Sequence, residues 1–223
     1  MSRPLVRLLT WLSPSFPIGA FAYSHGLEAA VRDGGIEDAE AVFHWLETLL
    51  LHGSGWNDLV LFAAAHRAAT ARENGTLDEI AELAAALAGT AERRTETLAL
   101  GAAFGQAARP WHDAGDAGDA EDYATRPYPV AVGRLAGMTD IALHEALTAY
   151  AHAFVANLVG AAIRLVPLGQ SDAMAVLERL EPTILAAADR ASTSGLDDLG
   201  SAAILSEIAA MRHETLSPRI FRS

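Results

Sequence analysis

Histidine, serine and aspartate side chains are the groups in this chain that could act as nucleophiles, bases or metal ligands. Ser24 and His25 are adjacent, and adjacent residues on a helix point to different faces, so they make a poor nucleophile and base. Two pairs of histidines stand two helical turns apart: His44 with His52, and His144 with His152. No His-x-x-x-His or His-Glu-x-x-His pattern places two ligands on neighbouring turns. We therefore predict no catalytic residue and no metal ligand, and leave open a metal site assembled from distant residues or across a dimer.

Aspartates recur at every third residue in the segment 111–129: Asp113, Asp116, Asp119 and Asp122. Such a run suggests calcium, but an EF-hand loop needs a different ligand spacing, a glycine at its sixth position and a distal glutamate. The segment is poor in apolar residues, which are needed to offset the entropy of ordering a chain. We predict a flexible loop over 111–129 that separates two helical halves, and we expect both halves to share one core.

The chain lacks residues that nucleotide-binding and cofactor-dependent enzymes commonly use. All 16 basic residues are arginines, so there is no lysine for a Schiff base or for a Walker-type phosphate loop. The Gly-x-Ser-x-Gly elbow of serine hydrolases is also missing. We predict that the protein is not an enzyme and that it uses no cofactor.

The amino-acid composition limits which broad classes of protein this chain can belong to. A chain of 223 residues with 51% hydrophobic content can bury a sizeable core. Its net charge of -12 opposes binding to nucleic acid, and no apolar run reaches the ~18 residues that span a bilayer. The absence of cysteine and of a signal-peptide pattern fits a cytoplasmic protein.

The hydrophobic pattern is helical almost throughout. Val42, Leu46 and Leu49 recur at helical spacing after a predicted N-cap at Asp38. Thr76 is predicted to start a capping box. Thr90 is predicted to be the N-cap of a helix that runs to about Arg109. The stretch 139–166 is apolar on nearly every face, which is typical of a central helix, and Gly101-x-x-x-Gly105 predicts a close helix contact. We predict an all-α fold, a single-domain bundle of roughly ten helices over residues 1–223.

The segment from Trp11 to Glu28 is a turn of unusual composition. Pro14 and Pro17 interrupt any helix, yet the turn carries Phe16 and Phe21, whereas turns are usually polar. Such a turn either fills the core of its own protein or offers an apolar surface to a partner.

Three further segments stand out as candidate contact regions. Arg94 to Thr97 forms either a solvated helix face, with Arg93 and Glu96 paired, or a charged patch for a partner. Pro167 to Gln170 ends the long apolar helix. The tail, residues 214–223, has an Ile-Phe pair between arginines, which favours a docking segment, either on its own chain or on another protein. If it is exposed in the free protein, deletion after Ser217 leaves the fold intact.

These segments together resemble motifs of the UreF family of urease accessory proteins. The matching strings are Pro17-Ile18-Gly19-Ala20-Phe21, Tyr23-Ser24-His25-Gly26-Leu27-Glu28, Arg94-x-Glu96-Thr97, Val166-Pro167-Leu168-Gly169-Gln170, Met211-Arg212-His213-Glu214-Thr215 and Arg219-Ile220-Phe221-Arg222-Ser223. They occur in the family's order and cover nearly the whole chain. The chain departs from the family at Asp58-Leu59-Val60, Leu216-Ser217-Pro218 and Met174.

The resemblance implies an all-helical homodimeric chaperone for nickel insertion that binds a UreD/UreH-like protein, recruits the GTPase UreG and acts on apo-urease. It assigns partner contacts to the motif residues, which are Pro17, Gly19, Phe21, Tyr23, His25, Glu28, Arg94, Glu96, Thr97, Gly169, Gln170, Arg212, His213, Glu214, Arg219, Ile220, Phe221, Arg222 and Ser223. Two alternatives remain open: a regulator of UreG that supplies Arg94 to GTP hydrolysis, and an independent α-helical enzyme or metal carrier that uses the scattered histidines and aspartates.

Overall fold

The computed structural model describes residues 3–112 and 126–223, which form helices joined by turns. Residues 3–112 contain α1 (Arg3–Trp11), α2 (Leu27–Arg32), α3 (Ala39–His52), α4 (Ser54–Ala71), α5 (Asn74–Ala86) and α6 (Ala91–Ala107). Residues 126–223 contain α7 (Tyr128–Met138), α8 (Leu143–Leu165), α9 (Gln170–Arg179), α10 (Glu181–Thr193) and α11 (Ile204–His213). Short 3-10 turns lie at Ala20–Ala22, Arg109–Trp111 and Leu196–Asp198. No strand occurs in these two ranges, and the predicted all-α class is confirmed.

Side-chain caps fix the starts of two helices as predicted. Asp38 accepts the main-chain N–H of Ala41 at 2.8 Å, and Thr90 accepts that of Arg93 at 3.1 Å. The capping box predicted at Thr76 is wrong, because α5 begins two residues earlier at Asn74 and its N-cap is Glu73. Thr76 therefore lies inside the first turn of the helix.

The centre of the bundle is α4, whose neighbours include α3, α5, α7, α8 and α10. Twelve of its 18 residues are buried, against nine of the 23 in α8. Its contact with α7 is close because Gly133 and Gly137 face it: a Cβ on either would lie 2.5 Å from a main-chain oxygen of α4, that of Phe62 or of His66. The expectation that 139–166 forms the central helix is thus wrong, since one face of α8 borders solvent and a cavity.

Helix α8 is long and apolar enough to cross a membrane by length and composition, but half of its most apolar stretch is buried inside the protein. The core helix of a soluble bundle passes the same test.

Gly101 allows α6 to approach the start of α7, as the Gly101-x-x-x-Gly105 pattern predicted. A Cβ at Gly101 would lie 1.9 Å from the carbonyl oxygen of Arg126. The loop predicted over 111–129 extended too far, because Trp111 ends a 3-10 turn and Tyr128 begins α7. Its middle, 113–125, lies outside the described residues. One hydrophobic core contains side chains from Leu8 to Phe221, so both helical halves contribute to it.

Candidate functional site

The N-terminal turn both fills the core and faces solvent. Phe16 is buried and its ring centroid lies 5.6 Å from that of Phe104. Gly19 has φ 77°, a left-handed conformation that glycine adopts without strain, and it leads into the 3-10 turn that carries Phe21. Phe21 is 65% exposed. The two readings of this segment therefore apply to different residues within it.

Helix α8 holds the turn through two side chains. Asn157 donates its side-chain N–H to the carbonyl oxygen of Ala20 at 3.1 Å, and Arg164 donates to that of Phe21 at 2.8 Å. The Arg164 guanidinium also lies over the ring of Phe221, 4.4 Å from its centroid. The turn and the tail thus meet at Arg164.

The C-terminal tail runs beside the turn and bonds to its backbone. Arg222 donates its main-chain N–H to the carbonyl oxygen of Ala22 at 2.8 Å, and Ser24 donates its own to the main-chain oxygen of Ser223 at 2.8 Å. Phe221 is 2% exposed, whereas its neighbour Ile220 is 66% exposed. The tail docks on its own chain, so the condition under which its deletion would spare the fold is not met.

A group of four side chains anchors the tail, and we call Glu28, Glu92, His213 and Arg219 the tail clasp. Glu28 accepts the main-chain N–H groups of Ile220 and Phe221, each at 2.8 Å. The buried ring of His213 has one nitrogen 2.7 Å from Glu92 and the other 3.3 Å from Glu28, and Arg219 also pairs with Glu92. Burial raises the pKa of Glu28, but the two tail amides and His213 outweigh it and hold that pKa below its ordinary value.

Two neighbours of the clasp stabilise helix ends. Glu214 accepts the main-chain N–H of Ala91 at 2.8 Å, so a carboxylate caps the start of α6. Arg212 is exposed and lies 2.6 Å from Asp33, just after α2. These contacts connect α2, α6 and α11 around the tail.

Beneath the turn lies a second group, the polar cluster of His25, Asp58, Arg93, Glu96 and Tyr150. Arg93 lies 2.7 Å from Glu96 and 3.5 Å from Asp58, and His25 lies 2.9 Å from Glu96. Ser223 donates its hydroxyl to Glu96 at 2.7 Å, which links the cluster to the tail. The cluster therefore contacts the tail through Ser223 and includes His25, which follows the turn in the chain.

The two carboxylates of the cluster differ in their electrostatic balance. Burial opposes ionisation of Glu96, but Arg93 and His25 outweigh it and lower its pKa to about 2. At Asp58 burial dominates and raises the pKa despite the same two neighbours. The tyrosine hydroxyls of Tyr128 and Tyr150 have raised pKa values, mainly through burial.

The structure places most of the predicted site residues in one region. Those within the clasp, the cluster or the tail beside them are His25, Glu28, Glu96, His213, Arg219, Phe221 and Ser223. Tyr23 is buried nearby, and Thr97 accepts the main-chain N–H that starts α7. Pro17, Arg94, Gly169, Gln170 and Arg222 are exposed, with Gly169 and Gln170 at the start of α9.

Four members of these groups are not among the partner contacts that the motifs indicate: Asp58, Glu92, Arg93 and Tyr150. The sequence does contain an indication that Asp58 is buried, because this acid directly precedes the apolar helical run Leu59-Val60-Leu61-Phe62. The reading of Arg93 and Glu96 as a solvated pair is wrong. They do pair at i, i+3, but Glu96 is 1% exposed and Arg93 points into the protein, while Arg94 is the exposed arginine.

Among the residues that the structure describes, no group of three or more histidine or carboxylate side chains could hold a metal ion. The turn and the tail instead present the apolar side chains of Phe21 and Ile220 on a backbone that Arg164 and Glu28 hold in place.

Known proteins resemble the chain over its length. A family model described as UreF matches residues 36–181. The chain belongs to the UreF family. It is similar to the protein named urease accessory protein UreF of Mesorhizobium japonicum, with 53% identity over 100% of this chain and 97% of that one. Relatives with the same name from Rhizobium leguminosarum and Rhizobium etli are 49% and 48% identical over 99% of this chain and 97% of theirs.

The UreF model begins after the N-terminal turn and ends before the tail, so these two segments lie outside the matched range. The range does include five members of the clasp and the polar cluster: Asp58, Glu92, Arg93, Glu96 and Tyr150. The whole-chain relatives include these segments. Their names support a role in urease maturation for this UreF chain.

Proposed function

We propose that this UreF chain is a non-catalytic chaperone of nickel insertion that bridges a UreD/UreH-like protein and the GTPase UreG so that they act on apo-urease. It works as a single domain over residues 1–223, in the cytoplasm, without a cofactor and without contact with nucleic acid or membrane. The net charge of -12 supports the absence of nucleic acid.

The observation that carries the proposal is the exposure of Phe21 and Ile220. We call these two side chains, with the turn 20–22 and the tail 219–223 that carry them, the docking surface. Large apolar side chains on a rigid backbone lose little entropy on binding and so make effective anchors. Glu28, Arg164 and the main-chain bonds of Ala22 and Ser24 supply that rigidity.

A homodimer is part of the proposal. Two helices expose further apolar side chains: Leu5, Val6 and Leu9 on α1, and Ile204, Leu205, Ile208 and Met211 on α11. Apolar faces of this kind favour association with another protein or a second copy.

The experiment that tests the proposal mixes the chain with the UreD-like protein and with UreG, and measures complex size by chromatography with light scattering. The double variant Phe21→Ser and Ile220→Ser should lose the complex and remain folded. Leu185→Ser, at a 51% exposed site on α10, is the matched control and should retain it. A double variant that binds both partners as the parent does would overturn the proposal.

A second role is favoured by one observation, the exposure of Arg94 at the start of α6. An exposed arginine close to a bound GTPase is placed to act on GTP hydrolysis. The independent metal carrier gains no support from the described residues, which form no ligand group.

A further inference from the structure

A cavity of about 350 Å³ lies between the N-terminal turn and α8. Its walls include Leu12, Phe16, Ile18 and Phe154, and Asp58 and Arg93 lie at its polar end. This combination of an apolar body and a few convergent polar groups is typical of a binding pocket, and the volume is within the usual range.

The polar end contains two carboxylates, Asp58 and Glu96, beside the guanidinium of Arg93 and the ring of His25. Arg93 is committed to Glu96 at 2.7 Å and is 3.5 Å from Asp58. The other contact of Asp58 is also long, a hydrogen bond from the Tyr150 hydroxyl at 3.3 Å. Asp58 is 8% exposed, and its raised pKa reflects burial that Arg93 and His25 do not offset. A further cation at Asp58 would be stabilised in this setting.

The cavity opens at the docking surface. Phe21 and Arg164 line it, and the same two residues belong to or hold the turn that meets the tail. Phe21 is largely exposed, so the cavity reaches solvent there. A protein seated on the docking surface would therefore lie over the opening.

We propose that a protein bound at the docking surface inserts a lysine or arginine side chain, carried on an apolar segment, into this cavity to pair with Asp58. The apolar walls would take the methylene stem and the neighbouring apolar residues, and Asp58 would take the charged head. The inference rests on the proposed function and adds the chemistry of the partner segment.

Two variants test the pairing by independent routes. Asp58→Asn removes the charge and keeps the shape. Gly160→Leu fills the cavity from α8, where an added Cβ meets no atom within 4 Å. Binding of the UreD-like protein and of UreG is measured by titration calorimetry. Each variant should weaken binding of one partner at least tenfold, whereas Asp189→Asn, the same change at an exposed site on α10, should leave it unchanged.

Thermal unfolding distinguishes this role from a structural one. A carboxylate whose pKa is raised by burial destabilises the fold when ionised, so Asp58→Asn should keep or increase the Tm at neutral pH. A lowered Tm together with normal binding by Gly160→Leu would overturn the inference and make Asp58 structural.

The remaining outcomes separate the inference from the proposed function. If Ile220→Ser loses the partner but neither cavity variant does, the inference is wrong and the proposed function stands. If Ile220→Ser and Phe21→Ser together have no effect, the proposed function fails. If the isolated chain binds Ni²⁺ through Asp58 with unchanged partner affinity, the cation is a metal ion and the inference is wrong.

Discussion

The carboxylate of Glu28 accepts the main-chain N–H of Phe221 at 2.8 Å, although 193 residues separate them in the chain. The bond joins the second helix to the tail and holds the aromatic ring of Phe221 in the core. Because His213 lies against the same carboxylate, α11 is part of the same arrangement. The docking surface is therefore built from residues that are distant in sequence, and Glu28 is one of the groups that fix its tail.

Glu28→Gln should loosen the tail and leave the helices in place. Hydrogen bonds to a charged acceptor contribute roughly 1.5–3 kcal/mol each, and the neutral amide weakens the bonds to Ile220 and Phe221. Hydrogen exchange should become faster at these two amides, with unchanged helical circular dichroism. Glu37→Gln, at an exposed site, is the control. Unchanged protection of both amides would show that Glu28 does not hold the tail.

Phe221 and Ile220 should separate stability from binding. Phe221→Ala removes a buried ring and should lower the free energy of unfolding by up to ~3–5 kcal/mol. Ile220→Ala changes an exposed side chain and should stay within about 0.5 kcal/mol, while complex formation with the UreD-like protein weakens. Urea unfolding and calorimetry check the two parts. Equal effects of both variants on stability would contradict the burial of Phe221 and the exposure of Ile220.

The helical pattern could be read from the sequence because it depends on local spacing and caps. Asp38 and Thr90 were found in this way, since an N-cap bonds only within its own first turn. The prediction of a helix start at Thr76 is wrong because the helix already begins after Glu73, which is its N-cap. Local patterns thus predict elements well and their first residues less well.

The site could be predicted only in part, because its contacts join distant segments. The motifs identified Glu28, Glu96 and His213 as notable, but no spacing shows that Glu28 meets Phe221 or that Arg93, rather than Arg94, points inward. Asp58 and Tyr150 lie 92 residues apart and meet through packing of α4 on α8. Such pairing is a property of the tertiary fold.

The fold should lose stability in acid through Glu96 and Glu28. The folded pKa of Glu96, about 2, lies below its ordinary value of 4.5, so the folded state binds fewer protons between these values. The stability that this carboxylate contributes is complete above the ordinary value and is lost as pH falls from about 4.5 towards about 2. Urea unfolding between pH 7 and pH 3 measures the loss, and Glu96→Gln should flatten the profile. A profile with no acid dependence would contradict the assignment.

Gly101→Ala should destabilise the protein at the contact between α6 and α7. The added Cβ would overlap the carbonyl oxygen of Arg126, and forced shifts of this kind cost ~1–3 kcal/mol or more. Gly75→Ala, also helical but with no atom within 4 Å of the added carbon, should instead stabilise by roughly 0.5–1 kcal/mol. Thermal unfolding of both variants checks the difference in sign. A Gly101→Ala variant that is as stable as the parent, or more stable, would mean that α6 does not approach the start of α7 this closely.

Arg93 and Arg94 are neighbours with opposite roles, and the comparison decides whether this UreF chain acts on GTP hydrolysis. Arg93→Gln leaves Asp58 and Glu96 buried without their cation, which should cost ~3–5 kcal/mol of stability. Arg94→Gln and Arg94→Lys change an exposed side chain and should leave the Tm unchanged.

The rate of GTP hydrolysis by UreG in the complex then gives the answer. If Arg94 acts as a finger, both Arg94 variants should slow hydrolysis at saturating complex, because lysine keeps the charge but not the planar fork of donors. If Arg94 only holds the interface, complex affinity falls and the rate at saturation stays the same. A normal rate and a normal affinity for both variants would remove Arg94 from the site altogether.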